Sequence, residues 1–284
     1  MKYVIFTLKA LLLAAFVFSA TAHAEGKKWT QVTIATEGAF KPYNFTRPDG
    51  TLDGYEIELS KYLCNYMKVE CKIVVQDFDG MIPALNAGKF DAIMSGMSAT
   101  TKREQIIDFS QSYGSTGQAF ATLKSSPLAS MEFTGEVFSL ASNEAGAVNA
   151  LEKLKPLLQG KTIGVQTAST GATFVEKYLK DVVDVREYKT TEQHDLDLAA
   201  GRVDLVMASM AYLTTSTAKP GNEEMTVAGP RFQGGFLGKG SSVGMRKNEP
   251  KLKAMFDKAI DAAKADGTIK TLSQKWFGFD VTPL

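Results

Sequence analysis

An eleven-residue phrase occurs twice in this chain and constrains the fold more than any other feature. Residues 87–97 read AGKFDAIMSGM, and residues 200–210 read AGRVDLVMASM. In each copy a glycine and a basic residue close a predicted helix, and a buried strand follows that ends in small polar residues. The copies lie too far apart for a solenoid repeat, so they predict two similar α/β lobes whose strand ends face a shared crevice. A weaker alternative is that Gly-basic-x-Asp is simply a common way to leave a helix.

The N-terminal segment predicts export. Lys2 and Lys9 precede an apolar run at 10–18, and Ala22 and Ala24 supply small residues at the cleavage-site positions. This pattern indicates a secretory signal that is cut after Ala24, and it is too short for a membrane span. A buried N-terminal helix fits the pattern less well. We therefore expect a periplasmic protein whose mature form is residues 25–284.

The charge balance gives no reason to expect a polyanionic partner. The whole chain has 32 basic and 31 acidic residues, and residues 1–24 contain two lysines and no acid. The mature balance is therefore 30 against 31, a net charge of −1. Because the chain is near neutral and has no basic run, neither nucleic acid nor an anionic membrane is an expected partner.

Cys64 and Cys71 are the only cysteines of the chain. They lie at the end of a predicted helix and the start of a predicted strand, and in an exported protein such a pair predicts a short structural disulfide. Two free buried thiols are the alternative. A metal site is less favoured still, because His194 is the only histidine after the signal and no CxxC is present.

Strand and helix signals alternate along the rest of the chain, which indicates parallel sheets. A helix is expected over 101–107, with Thr100 or Thr101 as its cap. The segment 125–160, helical near 145–158, matches nothing in the first half and is assigned to the surface of the second lobe. The remaining predicted strands are 32–36, 72–75, 92–94, 162–165, 183–188, 204–207 and 242–245, and the remaining helices are 54–63, 81–87, 170–179, 192–200 and 252–263.

Phosphate and catalytic motifs are absent from the sequence. Gly160-Lys161 lacks the earlier glycine of a P-loop and precedes a strand, and residues 238–243 lack the third glycine of a dinucleotide fingerprint. His194 and Asp197 lie on a predicted helix with no nucleophile nearby, so we expect them at the solvated surface.

One cluster is typical of an anion site. Ser95, Ser98, Thr100 and Thr101 crowd between a strand end and a helix start, and Arg103 lies in the first turn of that helix. A cation is unfavourable there unless it holds an anion, and a guanidinium matches a carboxylate bidentately. A surface arginine paired with Glu104 or Asp108 is an equally good interpretation of the spacing.

Several motifs resemble the periplasmic polar amino-acid-binding proteins of ABC importers, and the resemblance covers the mature chain. Within that family the chain is similar to the octopine- and nopaline-binding proteins in its residues 35–38, 228–230, 234–235 and 275–277 and in the insertion before Gly160. Its cysteine pair matches the disulfide of the lysine/arginine/ornithine- and histidine-binding members. The family motifs are in residues 95–103, 107–110, 53–59, 78–85 and 267–268.

The resemblance implies an α/β, two-lobed periplasmic binding protein fold of type II, in which each lobe is a mostly parallel sheet flanked by helices. It implies a first lobe of 25–115 and 233–284, a second lobe of 119–228, and hinge strands near 115–118 and 229–232. The implied function is clamp closure on a guanidinium-bearing opine and its delivery to a membrane permease. Free arginine or another cationic amino acid is the alternative ligand, and a periplasmic dehydratase on the same fold is less favoured. No enzyme activity, cofactor or metal is implied, and a monomer is expected.

The resemblance also assigns ligand contacts. Arg103 is expected to hold the ligand α-carboxylate with Ser98 and the N–H groups near Thr170 and Gly171, while Glu37 meets a distal cation. The other implied contacts are an aromatic pair around the aliphatic stem and polar groups on the floor and lobe edges: Phe40, Phe78, Ser95, Gly96, Gln118 and Gln166.

Ser209 departs from the pattern of many free-amino-acid binders in the family, which carry an aspartate there to pair with the ligand ammonium. A serine cannot neutralise a buried ammonium, and an unpaired buried charge costs several kcal/mol. An opine has a secondary amine flanked by two carboxylates, so it brings its own counter-charge. This substitution therefore favours an opine over a free amino acid, although Glu37 or a water could partly compensate.

Overall fold

The computed structural model describes residues 28–283, so the predicted signal segment lies outside the described residues. Within this range no helix is long and apolar enough to cross a membrane. The helices are α1 Tyr55–Met67, α2 Met81–Asn86, α3 Thr101–Glu104, α4 Glu144–Leu158, α5 Thr170–Tyr178, α6 Thr191–Ala199, α7 Met210–Thr217, α8 Pro250–Ala265 and α9 Thr268–Phe277. The strands are β1 Gln31–Thr36, β2 Ala39–Phe40, β3 Asn44–Thr46, β4 Leu52–Asp53, β5 Glu70–Val75, β6 Ala92–Ile93, β7 Asp108–Gly114, β8 Gln118–Leu123, β9 Val137–Ser139, β10 Lys161–Gln166, β11 Val183–Tyr188, β12 Leu205–Ser209, β13 Met225–Gln233 and β14 Ser241–Met245.

The strands of the described region form a five-stranded sheet ordered β5-β1-β6-β14-β7, a six-stranded sheet ordered β11-β10-β12-β8-β13-β9, and a small sheet of β2, β3 and β4. Each large sheet contains a block of three parallel strands, β5-β1-β6 in one and β11-β10-β12 in the other. An antiparallel strand lies next to each block, β14 beside β6 and β8 beside β12. The sheets are therefore mixed, because each of these strands is reached directly from the other sheet and not by a helical crossover within its own sheet.

The two copies of the repeated phrase occupy equivalent places. The strands β6 and β12 are the third members of their parallel blocks, and each follows a helix whose end is a glycine in the left-handed region, Gly88 at φ 75° and Gly201 at φ 69°. The aspartate of each copy ties its loop to the neighbouring strand. Asp91 Oδ2 accepts the N–H of Thr33 at 3.0 Å, and Asp204 Oδ2 accepts the N–H of Thr162 at 2.9 Å. The repeat thus specifies the same local structure twice, with one copy in each large sheet.

We call the five-stranded sheet and the helices packed on it the first lobe, and the six-stranded sheet and its helices the second lobe. Buried apolar side chains form the core of each, and one cluster of them continues from the first lobe into the second. In the first, α1 packs against α8 and α9, and the predicted disulfide between Cys64 and Cys71 joins the end of α1 to β5. This disulfide confirms the prediction. In the second, α4 buries Leu151, Leu154 and Leu158 in the core, so the segment before Gly160 contributes packing as well as surface.

The chain passes between the lobes twice. It goes from β7 to β8 through residues 115–117, and it returns from β13 to β14 through residues 234–240. The nominated second hinge, 229–232, lies within β13, where the pairing with β8 shifts register between Ala228 and Phe232. The domain boundaries and the hinge positions remain our proposal.

Three local expectations were wrong. The helix α3 ends at Glu104, three residues earlier than the sequence pattern indicated, although Thr100 caps it by accepting the N–H of Arg103 at 3.2 Å. The helix α7 was not predicted, since Met210–Thr217 lacks a strong apolar stripe. His194, expected at the surface, is completely buried, with Nδ1 3.0 Å from Asp195 Oδ1, because α6 turns that side chain against β10, where a Cβ on Gly164 would lie 3.2 Å from His194 Cβ.

Candidate functional site

A cleft lies between the two lobes. The first lobe lines it with both of the charged side chains found there, Arg103 and Glu37, and the second lobe lines it with neutral groups. Ser98 and Gly171 adjoin it. Ser98 lines a neighbouring pocket, and a Cβ on Gly171 would lie 3.4 Å from Gln118 Oε1. The other predicted contact residues that line the cleft are Phe40, Phe78, Ser95, Gly96, Gln118, Gln166, Thr170 and Ser209.

Arg103 lies at one end of the cleft and connects the lobes. Its Nη1 donates to the carbonyl of Ser98 at 3.0 Å, its Nη2 donates to the carbonyl of Ala168 in the second lobe at 2.9 Å, and its guanidinium lies 5.5 Å from the centre of the Phe78 ring. Among residues 28–283 no carboxylate is within ion-pair distance of Arg103, while Glu104 pairs with Lys239 instead. Burial lowers the pKa of Arg103 to about 10, so it remains a cation at neutral pH.

Glu37 lies at the other end. Its N–H donates to Ser95 Oγ at 3.0 Å, and its Oε1 accepts from Gln166 Nε2, across the lobes, at 2.8 Å. Its Oε2 is buried and has no hydrogen-bond partner within the described part of the chain, and the same is true of Thr191 Oγ1. Burial raises the pKa of Glu37 to about 7, against the hydrogen bond from Gln166, which lowers it. This end of the cleft therefore presents acceptor atoms that a cationic donor would satisfy.

Aromatic rings form one wall. The Phe40 ring stacks on Tyr43 of its own lobe, with centroids 4.8 Å apart, and on Tyr212 of the second lobe, at 5.1 Å. Gly96 lies against the same ring, since a Cβ there would be 2.7 Å from Phe40 Cε1. Gly96 also has a φ of 59°, so a side chain at this floor position is excluded twice, by strain and by contact.

Ser209 lies where β12 ends and α7 begins. Its Oγ is 3.2 Å from Tyr43 Oη and 2.9 Å from Thr116 Oγ1, so a hydroxyl cluster occupies the place expected to face the ligand nitrogen. A second pocket continues from here toward the inter-lobe connections. It shares Gly96, Gln118 and Ser209 with the cleft and is otherwise lined mainly by glycine and serine.

Sequence reasoning missed several residues at the site. Tyr43, Thr116 and Tyr212 contact the predicted residues directly, and Thr191 lines the cleft beside Glu37. Tyr212 could have been found, because it follows the second copy of the repeat just as the Arg103 segment follows the first. No sequence pattern indicated Thr191 as a site residue, since it is simply the first residue of a helix.

Comparisons with known proteins agree with this geometry. The family model described as bacterial extracellular solute-binding proteins, family 3, matches residues 32–279. An octopine-binding periplasmic protein of Rhizobium meliloti is 46% identical, covering 97% of this chain and 99% of that protein. An L-arginine-binding protein of Pseudomonas aeruginosa is 32% identical, covering 96% and 98%.

Among solved structures, an ancestral arginine-binding protein bound to arginine superposes with a TM-score of 0.73 at 29% identity, over 88% of this chain and 99% of the other. The type II periplasmic binding protein fold is thereby confirmed. Three findings are consistent with one another: the cleft between two sheets, the disulfide, and the match of the family model over nearly the whole described region. The chain belongs to family 3 of the bacterial extracellular solute-binding proteins.

Proposed function

We propose that this protein is a periplasmic receptor of an ABC importer that binds a guanidinium-bearing opine resembling octopine. The observation that carries the proposal is the cleft itself, which holds a half-buried arginine at one end and a buried glutamate at the other, neither with an oppositely charged partner among the described residues. Unpaired buried charges are costly, so they indicate a ligand that supplies the opposite charge at each end.

At the Arg103 end we propose that the ligand α-carboxylate binds. The helix α5 begins there, and its N-cap Ser169 already accepts the N–H of Ala172 at 3.0 Å. The N–H groups of Thr170 and Gly171 come before that bond and have no acceptor within the helix, so they can complete a carboxylate shell with the guanidinium.

At the Glu37 end we propose that the guanidinium of the ligand binds. It would donate to Glu37 Oε2 and Thr191 Oγ1, the two buried acceptors without partners, and Gln166 already orients the carboxylate from the second lobe. A planar guanidinium satisfies two acceptors at once, which a single ammonium does less well.

The assignment to an opine depends on Ser209 and the pocket beyond it. A serine in a hydroxyl cluster supplies no charge to a ligand ammonium, and the adjoining pocket, lined mainly by glycine and serine, is where we propose that a substituent on the ligand nitrogen lies. The helix α7 starts at Met210, so its positive end favours a second carboxylate there. The similarity to an octopine-binding protein supports the same ligand.

Export to the periplasm, delivery to a membrane permease, a monomeric state and closure about hinges near 115–118 and 229–232 belong to the same proposal. We propose binding without catalysis. Proton transfer to a substrate needs a positioned acid or base, and of the described residues lining the cleft only Glu37 could serve. Incubation with prephenate should give no product; its turnover would contradict the proposal.

Arginine is the second candidate, because the chain is similar to arginine-binding proteins. Thermal shift with octopine, nopaline, arginine, lysine and histidine separates the two, since ligands that bind only the folded state raise the melting temperature. We expect the largest shift with an opine. A larger shift with arginine would transfer the assignment to the free amino acid, and no shift with any of them would reject both.

A further inference from the structure

Glu56 is a completely buried carboxylate that the proposed ligand contacts do not use. It lies in the first turn of α1, is 1% exposed, and has no cation within ion-pair distance among residues 28–283. Its oxygens accept three hydrogen bonds: from Asn44 Nδ2 at 2.6 Å, from the N–H of Gly96 at 2.7 Å, and from the hydroxyl of Tyr113. A buried carboxylate is costly to retain unless it is satisfied in this way.

These bonds belong to a longer chain. Asn44 Oδ1 accepts the N–H of Gly38 at 2.7 Å. A continuous series of hydrogen bonds therefore runs from Gly38 through Asn44 and Glu56 to Gly96. Gly38 follows Glu37 directly, and Gly96 follows Ser95 and supports the Phe40 ring. The chain therefore connects the segment that carries Glu37 and Phe40 to the turn that forms the floor of the cleft.

The hydrogen bonds have a fixed direction. Asn44 must accept from Gly38 with its oxygen, so its nitrogen must face position 56, and only an acceptor there can pair with it. A glutamine at 56 could still accept from Gly96 and Tyr113, but its Nε2 would then face Asn44 Nδ2. Rotating the Asn44 amide would relieve that contact only by losing the bond to Gly38.

We propose that Glu56 is a positioning residue of the ligand site, which acts through Asn44 and Gly96 to set the distance between the Glu37 segment and the floor. The proposal rests on the proposed function for its ligand. It predicts that ligand affinity requires one of the residues at positions 44 and 56 to donate a hydrogen bond and the other to accept it. The charge at position 56 alone should not determine the affinity.

The test uses Glu56→Gln, Asn44→Asp and the double variant that carries both substitutions. In the double variant the new amide at position 56 donates to the new carboxylate at position 44. That carboxylate still accepts from Gly38, and the net charge of the pair is unchanged. Glu58→Gln is the matched control, since Glu58 lies on the same helix and pairs with Lys275 at the surface. Octopine and arginine affinities are measured by calorimetry.

We expect Glu56→Gln to weaken octopine binding by about tenfold or more, the double variant to recover to within about threefold of the original, and Glu58→Gln to stay within about twofold. A role in stability alone would lower the melting temperature of Glu56→Gln and leave the affinity of the folded protein unchanged. Unchanged affinity in Glu56→Gln, or a double variant no better than the single ones, would overturn the proposal.

Amide exchange separates this inference from the proposed function. If the unaltered protein binds neither octopine nor arginine, the proposed function fails, and the hydrogen-exchange rates of the Gly38 and Gly96 amides decide the positioning role alone. Faster exchange at both amides in Glu56→Gln, reversed in the double variant, supports it. Equal rates in all the variants would reject it.

Discussion

The two copies of the repeated phrase have the same backbone role but end in different chemistry. Each leaves a helix through a left-handed glycine, ties its aspartate to the neighbouring strand and enters the third strand of a parallel block. Beyond the strand they diverge. The first copy turns at Gly96 toward Arg103, and the second begins α7 directly after Ser209.

This difference separates the charged side chains of the cleft from the neutral ones. Both charged side chains of the described cleft lining belong to the first lobe, and the second contributes hydroxyls, amides and the start of a helix. Charged contacts are the stronger ones when buried, and neutral hydrogen bonds are each weaker but directional. We infer that the first lobe supplies most of the affinity and the second supplies closure and selectivity.

The largest effect is expected at the first-lobe charge. Arg103→Ala should weaken octopine binding by about 2–5 kcal/mol, the usual cost of removing one partner of a buried charge pair. Calorimetry measures it, and Arg202→Ala in the second copy is the control because that side chain is exposed and pairs with Asp197. Equal losses for the two variants would show that Arg103 does not hold the ligand.

The second effect is a pH dependence from Glu37. Its pKa is raised to about 7 by burial, and a guanidinium ligand needs it ionised, so protonation competes with binding. Affinity should therefore fall as pH decreases through 7, by about tenfold for each unit below it. Calorimetry between pH 5.5 and 8.5 measures this slope. The slope should vanish in Glu37→Gln, and a slope that persists there would assign the titration to another group.

The third tests selectivity in the second lobe. Ser209→Asp would supply a partner for a free ammonium but would lie close to the second carboxylate of an opine. The ratio of octopine to arginine affinity should drop by at least about tenfold, or roughly 1.4 kcal/mol. Ser142→Asp adds the same charge at an exposed position of the second lobe and should leave the ratio unchanged. A ratio unaffected by Ser209→Asp would remove this residue from the argument for an opine.

The smallest effect concerns the feature that the copies share. Asp204→Ala removes the acceptor of the Thr162 N–H and should lower the free energy of unfolding by about 1 kcal/mol. Asp91→Ala should cost more, because Asp91 pairs with the half-buried Arg246, whereas the ion pair of Asp204 with Lys161 is more exposed. Urea denaturation measures both, and octopine affinity should stay within about twofold. A loss of affinity larger than the loss of stability would mean that the shared aspartates affect the site.

Much of the fold and part of the site were predictable because they depend on local pattern. The repeated phrase predicted equivalent strands, and the spacing of Cys64 and Cys71 in an exported chain predicted their disulfide. The serine- and threonine-rich turn before Arg103 predicted an anion site, and the structure gives that arginine no acidic neighbour among the described residues. Each of these signals is contained within a short segment, so the sequence displays it directly.

Only the tertiary structure decided the contacts between segments that lie far apart in the chain. Nothing near Glu37 in sequence indicates that Gln166 approaches it across the lobes or that burial raises its pKa to about 7. The stacking of Tyr212 on Phe40 and the bonds that Glu56 accepts from Asn44 and Gly96 are equally non-local. Periodicity reports which side of an element is buried, whereas the partner and the charge state of a buried group depend on how whole lobes pack. By itself, therefore, the sequence determined the two-lobed α/β architecture and the local turn that carries Arg103, and the packing of the lobes decided the surroundings of Glu37, because those surroundings are contacts between distant segments.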